Sequence, residues 1–393
     1  MIYRITCLTP TLVGDGQRLA PIDYMVWKDH VNVLDQKRIF RLLAKGPRLE
    51  GYLNQLKKAD KLDFASWGGF AQNYAGRRIP FEHAGAAQYW EKARAENLFI
   101  PTFATGPSGP YIPGTAIKGA LRTGIVHGRI TERLLQDLAA RTSSEGRLPR
   151  RPAGSVEDAA LGSGGSDSMR LLSAADSRTV TEGIFKIYLL RVSTLEPRGA
   201  GKYELGWKTA PRGSVRRADD STPIFAEMAV PGSKFEGEWR ENAFLAHPEI
   251  AKTLRRKSGI DLAALFGQVN SYTEQLLRVQ KQYADWASLP QLASSLSQLE
   301  ARLTEVRQSG KGCVVPLGWG AGFLSKAAFL DTQDATYRDI LKQVGFYARA
   351  IQSALPFPKT RKIVFLGNQP ATLPGFVHFE IEGRKSTESP KPE

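Results

Sequence analysis

Strand-like and helix-like runs succeed one another in this chain without a fixed alternation, and that irregularity limits the possible folds more than any other feature. Residues 2–8 alternate in the two-residue rhythm of a half-buried strand and end on Thr9-Pro10, a turn signal. Short extended runs follow at 24–27 and 31–34. The apolar spacing then lengthens to helical values over 36–61 (Ile39, Leu42, Leu43, Leu49, Leu53, Leu56) and again over 84–96. Thr115 is placed to N-cap a helix running to about residue 140. Strand signals return at 169–173, 179–195, 223–238, 313–317, 363–366 and 375–382. Helical ones return at 249–306, broken at Pro290, and at 335–354. A doubly wound parallel sheet needs a regular strand–helix succession, so this pattern predicts an α+β protein instead.

At 393 residues the chain exceeds the ~250–300 residues at which single cores stop growing, so two domains are expected. Residues 143–168 are rich in Gly, Ser, Pro and Arg with little apolar periodicity, and they mark the boundary. The reading is a first domain over 1–145, a flexible linker over 146–168 and a second domain over 169–383. The second domain carries a helical region at 249–308, taken as an insertion or satellite bundle, and a Gly-rich loop at 316–327; residues 384–393 read as a disordered tail.

Lys and Arg total 54 against 39 acidic residues, a net charge of +15, which points to a polyanionic partner: nucleic acid or an anionic membrane surface. No stretch approaches ~18 consecutive apolar residues, and the first ten residues lack the basic and apolar regions of a signal peptide. Nucleic acid and a cytoplasmic location are therefore expected. Cys7, Cys313 and the five histidines fall into no CxxC or HExxH spacing, so no metal, disulfide or cofactor is expected, and the cysteines read as buried thiols.

Two glycine-framed segments carry the functional reading. In 111–123, at about 100° per residue, Lys118, Arg122 and Arg129 share a stripe, beside one of Ile117, Leu121, Gly124 and Gly128. A Pro113-Gly114 turn feeding that helix offers backbone N–H groups suited to phosphate oxygens. Gly114 and Gly119 have the spacing of a P-loop, but Ala120-Leu121 stand where Lys-Ser/Thr would be needed, so ATP is not expected. In 316–327, Gly318, Gly320 and Gly322 follow a strand; Lys326 supplies a cation and Trp319 or Phe323 a stacking face. The third glycine comes one position early for a dinucleotide fingerprint. On the residues alone, each segment is open to a bland reading as well: a solvated basic helix face and a structural tight turn. Further cations gather at Arg77-Arg78, at 212–217 near Trp207, at Arg255-Arg256-Lys257 and at 359–362, and together they could form a positive track for a single strand.

Three stretches, at 8–16, 111–122 and 318–326, resemble in sequence and in order the hallmark motifs of the RAMP superfamily of CRISPR-associated proteins. Within it, the chain length, the run Pro21-Ile22-Asp23-Tyr24 and the helical second half are most similar to the fifth, guide 3′-end-capping subunit type of the type III-A Csm complex. The resemblance implies ferredoxin-like, RRM-related βαββαβ domains and a non-catalytic subunit that binds the 3′-end region of the guide crRNA. It implies a part in crRNA maturation and antiviral defence, with guide crRNA, neighbouring Csm backbone subunits, target RNA and host trimming nucleases as partners.

Carried over residue by residue, the resemblance places Lys118 and Arg122 on the guide backbone, with Gly114, Gly119 and Arg129 in the same segment. Gly318, Trp319, Gly320, Gly322, Phe323, Ser325 and Lys326 would form the loop against RNA, and Gly14 and Gly16 would shape the first-strand loop. Asp15 departs from the pattern by setting a negative charge near that track. Asp23 lies where the related backbone subunit has an aspartate that assists target-RNA cleavage. An endoribonuclease acting through Asp23 or a histidine such as His30 or His127 is thus one alternative, against an Asp that bonds its own loop. An assembly scaffold with little RNA contact is the other.

Overall fold

The computed structural model describes residues 1–44, 46, 48–58, 61–62, 71–145, 151–199, 202–211, 213–256, 259–353 and 355–382. The main elements that build its two larger sheets and the helices packed on them begin, in chain order, with β1 (Ile2–Cys7), α1 (Gly114–Arg129), β2 (Leu172–Ser177), β3 (Phe185–Gly199), β4 (Lys202–Lys208), β5 (Ile224–Ala229) and β6 (Lys234–Glu241). After these come α2 (Leu262–Trp286), α3 (Pro290–Ser309), β7 (Cys313–Pro316), β8 (Thr360–Leu366), β9 (Gln369–Thr372) and β10 (Phe376–Glu382).

One antiparallel sheet runs β7-β10-β1-β6-β2. Setting aside the edge strand β7, its strands in order of appearance are β1, β2, β6 and β10, with α1 after the first and α2 after the third. That is the ferredoxin-like βαββαβ unit, laid out in the spatial order fourth-first-third-second. Alternation explains its buried face: Tyr3, Ile5 and Cys7 of β1, Phe235 and Trp239 of β6, and Val377 and Phe379 of β10 all point at the helices. Ile117, Leu121 and Ile125 of α1 and Leu265, Phe266 and Val269 of α2 cover them. Each such side chain contributes ~1.5–3 kcal/mol on burial. Cys7 and Cys313 are both buried in this layer, and burial pushes the Cys7 thiol up to about 12 and Cys313 upward as well.

The helices cross closely because α1 presents glycine there. A Cβ on Gly124 would lie 2.8 Å from Val269 Cα, and one on Gly128 3.0 Å from Gln268 Cγ. This contact fixes the face of α1 left over for other work.

The unit takes strands from both ends of the chain, so the expected division into a domain over 1–145 and another over 169–383 is not how the sheet is built. Nor is all of 146–168 a linker: Pro152–Leu161 is a helix with Val156 and Leu161 buried. What the first half adds by itself is a satellite. A three-stranded sheet of Tyr24–Trp27, His30–Leu34 and Ala75–Pro80 packs with helices Gln36–Leu43 and Arg48–Lys58 around Met25, Ile39, Leu43 and Tyr52. The helical region expected at 249–308 is present, and its longest helix, α2, belongs to the layer on the main sheet. The tail at 384–393 lies outside the described residues.

A second sheet is organised on the long strand β3, which pairs with β5 along its first part, β8 in the middle and β4 towards its end. Ile187, Leu189, Phe225, Ile363 and Phe365 share a core with Tyr272 and Leu276 of α2 and Leu292 and Leu296 of α3. Two expected helices are each divided in two. The run to residue 140 breaks at Ile130 before Glu132–Glu145, and the run 335–354 becomes Ala335–Lys342 and Gly345–Gln352. No described helix is long and apolar enough to cross a membrane.

Candidate nucleic-acid interface

An RRM-like sheet reads bases on aromatic side chains of its open face. Here the open face of the main sheet carries a charge network instead. Arg4 sits between directly opposed Glu236 and Glu380, pairing with Glu236 at 2.8 Å, Glu380 at 3.5 Å and Glu382 at 2.5 Å. Among the described residues this face is therefore no stacking platform, and the cations must be sought elsewhere.

They gather where three distant segments meet. The N–H of Trp319 donates to Leu12 O at 2.7 Å, Leu317 N–H to Gly375 O at 2.6 Å, and Gly375 N–H to Pro10 O at 2.9 Å, so the Gly-rich loop is pinned to the loop after β1. Gly318 makes this possible. Its φ is +91°, and a Cβ there would fall 2.1 Å from Leu12 O. Gly320 is close-packed too, with Pro374 Cγ at 2.9 Å from its would-be Cβ, whereas Gly322 faces open space. The third wall is α1. With Ile117, Leu121 and Ile125 turned into the core, Ala116, Gly119, Ala120 and Thr123 face outward, and their small side chains leave room.

The result is an open cleft of about 830 Å³ bordered by Gly14, Gly16 and Arg18, by that face of α1, and by Gly318, Trp319 and Lys326. Arg18 lies 4.3 Å over the Phe99 ring, and Lys362 stands 3.9 Å over the Trp319 ring. Burial, and after it the charge of Lys326, holds the Lys362 ammonium below the usual lysine range. Neither lysine, nor Arg18, is paired with a described carboxylate. Two mutually repelling cations beside an indole face, on a glycine-lined floor, favour a ligand with repeated negative charge and flat rings.

Other residues expected at this site do different work. The Arg122 guanidinium is clamped by Glu157 at 3.0 Å and Asp167 at 3.1 Å. Arg129 donates to Ala160 O, Ser168 Oγ and Gly259 O, each at 3.2 Å, tying the 152–161 helix to α1. At the N-terminus of α1, Asp176 Oδ1 accepts from Gly114 N–H at 2.8 Å, so a carboxylate already occupies the place proposed for phosphate. Gly114 is there for packing, a Cβ falling 2.2 Å from Ala174 O. Ser325 Oγ donates to Gly322 O at 2.8 Å within its own loop, and Phe323 is held edge-on between Tyr347 and Phe357. Lys118 does not border the cleft. Asp15 accepts from Gln17 N–H at 3.0 Å and so closes its own loop.

Asp23 behaves as the local reading expects: it accepts from Ala20 N–H at 2.7 Å and Gln36 Nε2 at 2.9 Å. His30 Nδ1 bonds Asp29 Oδ1 at 2.7 Å, and His127 Nδ1 bonds Ala328 O at 2.6 Å. In the other basic clusters, Arg77 pairs with Glu182 and Glu227, Arg217 with Asp219 at 3.9 Å, and Arg256 with Leu245 O. Arg361 is buried over Tyr283, while Arg212 and Lys257 lie outside the described residues. Arg18 and Phe99 were not anticipated from the sequence, although Arg18 directly follows the Gly14-Asp15-Gly16 turn.

The profile of the RAMP superfamily matches residues 4–324. No curated protein matches the chain. Among solved structures, a chain of a Csm–crRNA–target RNA ternary complex of a type III-A CRISPR–Cas system, determined by cryo-EM, is similar at a TM-score of 0.66 and 19% identity. The match covers 97% of this chain and 100% of that one. Csm5 of T. onnurineus, a crystal structure, is similar at a TM-score of 0.59 and 17% identity over 95% of this chain and 99% of that one.

Proposed function

The chain belongs to the RAMP superfamily, and from that membership we propose that it is an RNA-binding structural subunit of a type III-A CRISPR (Csm) effector complex, holding the 3′-end region of the guide crRNA and capping the backbone filament. The observation that carries this reading is the convergence of the 12–18, 116–123 and 316–326 segments on one open cleft whose cations Arg18 and Lys326, together with Lys362 over the Trp319 ring, have no carboxylate partner among the described residues. Single-stranded RNA supplies what those groups lack: phosphates for the cations and base faces for Trp319. The likeness in fold to a chain of a Csm–crRNA–target RNA complex supports the same assembly, with guide crRNA, target RNA and the neighbouring Csm backbone subunits as partners.

A subunit seated on the guide's 3′ end would shield it from trimming nucleases, which is the contribution to crRNA maturation, and so to antiviral defence, that this reading assigns. Asp23 spends both carboxylate oxygens on its own loop and on Gln36, in keeping with binding and not cleavage. The test is footprinting of a guide in complexes assembled with the full-length chain. We expect protection of the 3′ end from a single-strand nuclease, lost with Lys326→Glu/Lys362→Glu; protection elsewhere, or none, overturns the proposal.

A further inference from the structure

The cleft does not close at the Gly-rich loop. Gly119, Thr123, Trp319, Ala321 and Lys326 also border a second, mostly apolar groove of about 1120 Å³ that continues past Lys359 and Lys362. Phe357, Pro358 and Arg361 at the end of that groove border a third hollow, of about 470 Å³. The three adjoin in succession through shared wall residues.

The third hollow has its own cations and rings. Trp286, from the end of α2, meets Tyr203 of β4 edge-to-face with ring centroids 5.5 Å apart. Arg338 donates only to the carbonyls of Thr332 at 3.2 Å and Ile351 at 2.7 Å, and Arg361 only to Gln280 and the carbonyls of Pro358 and Thr360. Arg278 is exposed and pairs with no described carboxylate. Asp331, the one acid on this wall among the described residues, is turned to the backbone N–H groups of Gln333 and Asp334 at 2.9 and 3.2 Å. Arg361 is buried over Tyr283, which leaves two guanidiniums, Arg278 and Arg338, without a carboxylate partner among the described residues beside an aromatic pair, the combination that recognises a phosphate together with an unstacked base.

We propose that this hollow is a second station for the same single RNA strand, which passes from the first cleft over the Gly-rich loop and along Lys359 and Lys362. It then stacks a base against Trp286 and Tyr203, with its phosphate at Arg278 and Arg338. The inference rests on the reading of the first cleft as an RNA site and extends it: contact is made at two places separated by an apolar stretch, so affinity depends on strand length in two steps.

The test measures binding of the full-length protein to 5′-labelled single-stranded RNAs of about 4 to about 16 nucleotides, the span of known single-strand sites. Wild-type affinity is expected to rise to a plateau and then, once the strand reaches Trp286, to rise again by about tenfold. Arg278→Glu, on the surface, and Tyr203→Leu should each remove the second rise and leave the affinity for short RNAs unchanged. A single plateau in wild type, or a second rise that survives both variants, or an equal loss at all lengths in Arg278→Glu, overturns the station. Failure of wild type to bind RNA of any length would overturn the first cleft as the RNA site, and the station with it.

Discussion

Removing Lys326 and Lys362 together separates an RNA cleft from a merely basic surface. On a single strand each phosphate contact contributes about 0.7 to the slope of log affinity against log salt. If each lysine meets one phosphate, Lys326→Ala/Lys362→Ala makes the slope shallower by about 1.4, so that raising KCl from about 50 to about 200 mM costs wild type roughly 7-fold more affinity than the variant. Fluorescence anisotropy with a labelled single-stranded RNA at several KCl concentrations measures this directly. The variant should stay folded, because burial and the neighbouring Lys326 already disfavour the Lys362 charge. The charge-neutral pair Arg122→Gln/Glu157→Gln is the control: Arg122 is held by Glu157 and Asp167, so the slope should stay at the wild-type value. Equal slopes in wild type and the double-lysine variant, or a shallower slope in the control, would refute the reasoning.

Gly318→Ala should lower stability by about 2 kcal/mol or more, since a side chain at φ +91° also meets Leu12 O, whereas Gly322→Ala, at φ +87° but with open space around it, should cost only about 1 kcal/mol; urea midpoints that coincide would contradict this. Burial, aided by Arg302 3.4 Å away and opposed by Glu380, holds the His378 imidazole below the ordinary histidine value of about 6.5. The unfolded chain therefore takes up that proton first, and stability is lost as pH falls below about 6.5. His378→Gln should show a smaller drop in urea midpoint between about pH 7 and about pH 5, and parallel curves would argue against it.

Fold class was legible because strand and helix periods leave local traces, and the irregular order of those traces excluded a doubly wound sheet. Domain layout was not. The pairing of Ile2 with Glu382 and of Ile5 with Phe379 joins opposite ends of the sequence, and no local window senses it. The 152–161 helix was hidden because only Val156 and Leu161 need burying among Ala, Gly and Ser, although Pro152 in its first turn fits a helix start. At the site, a helical projection told which way Arg122 and Arg129 point but not what waits there. Asp167 and Glu157 are brought to Arg122 by tertiary packing, and Asp176 reaches Gly114 in the same way. The glycines were read as places where the backbone approaches RNA, whereas Gly114 and Gly318 are needed for close backbone approach within the protein.

β1 is a central strand, yet one of its two neighbours, β10, is the last described strand to be synthesised. While the ribosome is still at work, Tyr3, Ile5 and Cys7 have no finished surface to close on, and Pro10 cannot yet accept from Gly375. Such distant pairings are slow to form. A nascent chain that stops short of β10 lacks both the strand that pairs with β1 and the Gly375 contacts that pin the Gly-rich loop, so the cleft is not assembled until this last described strand has been made.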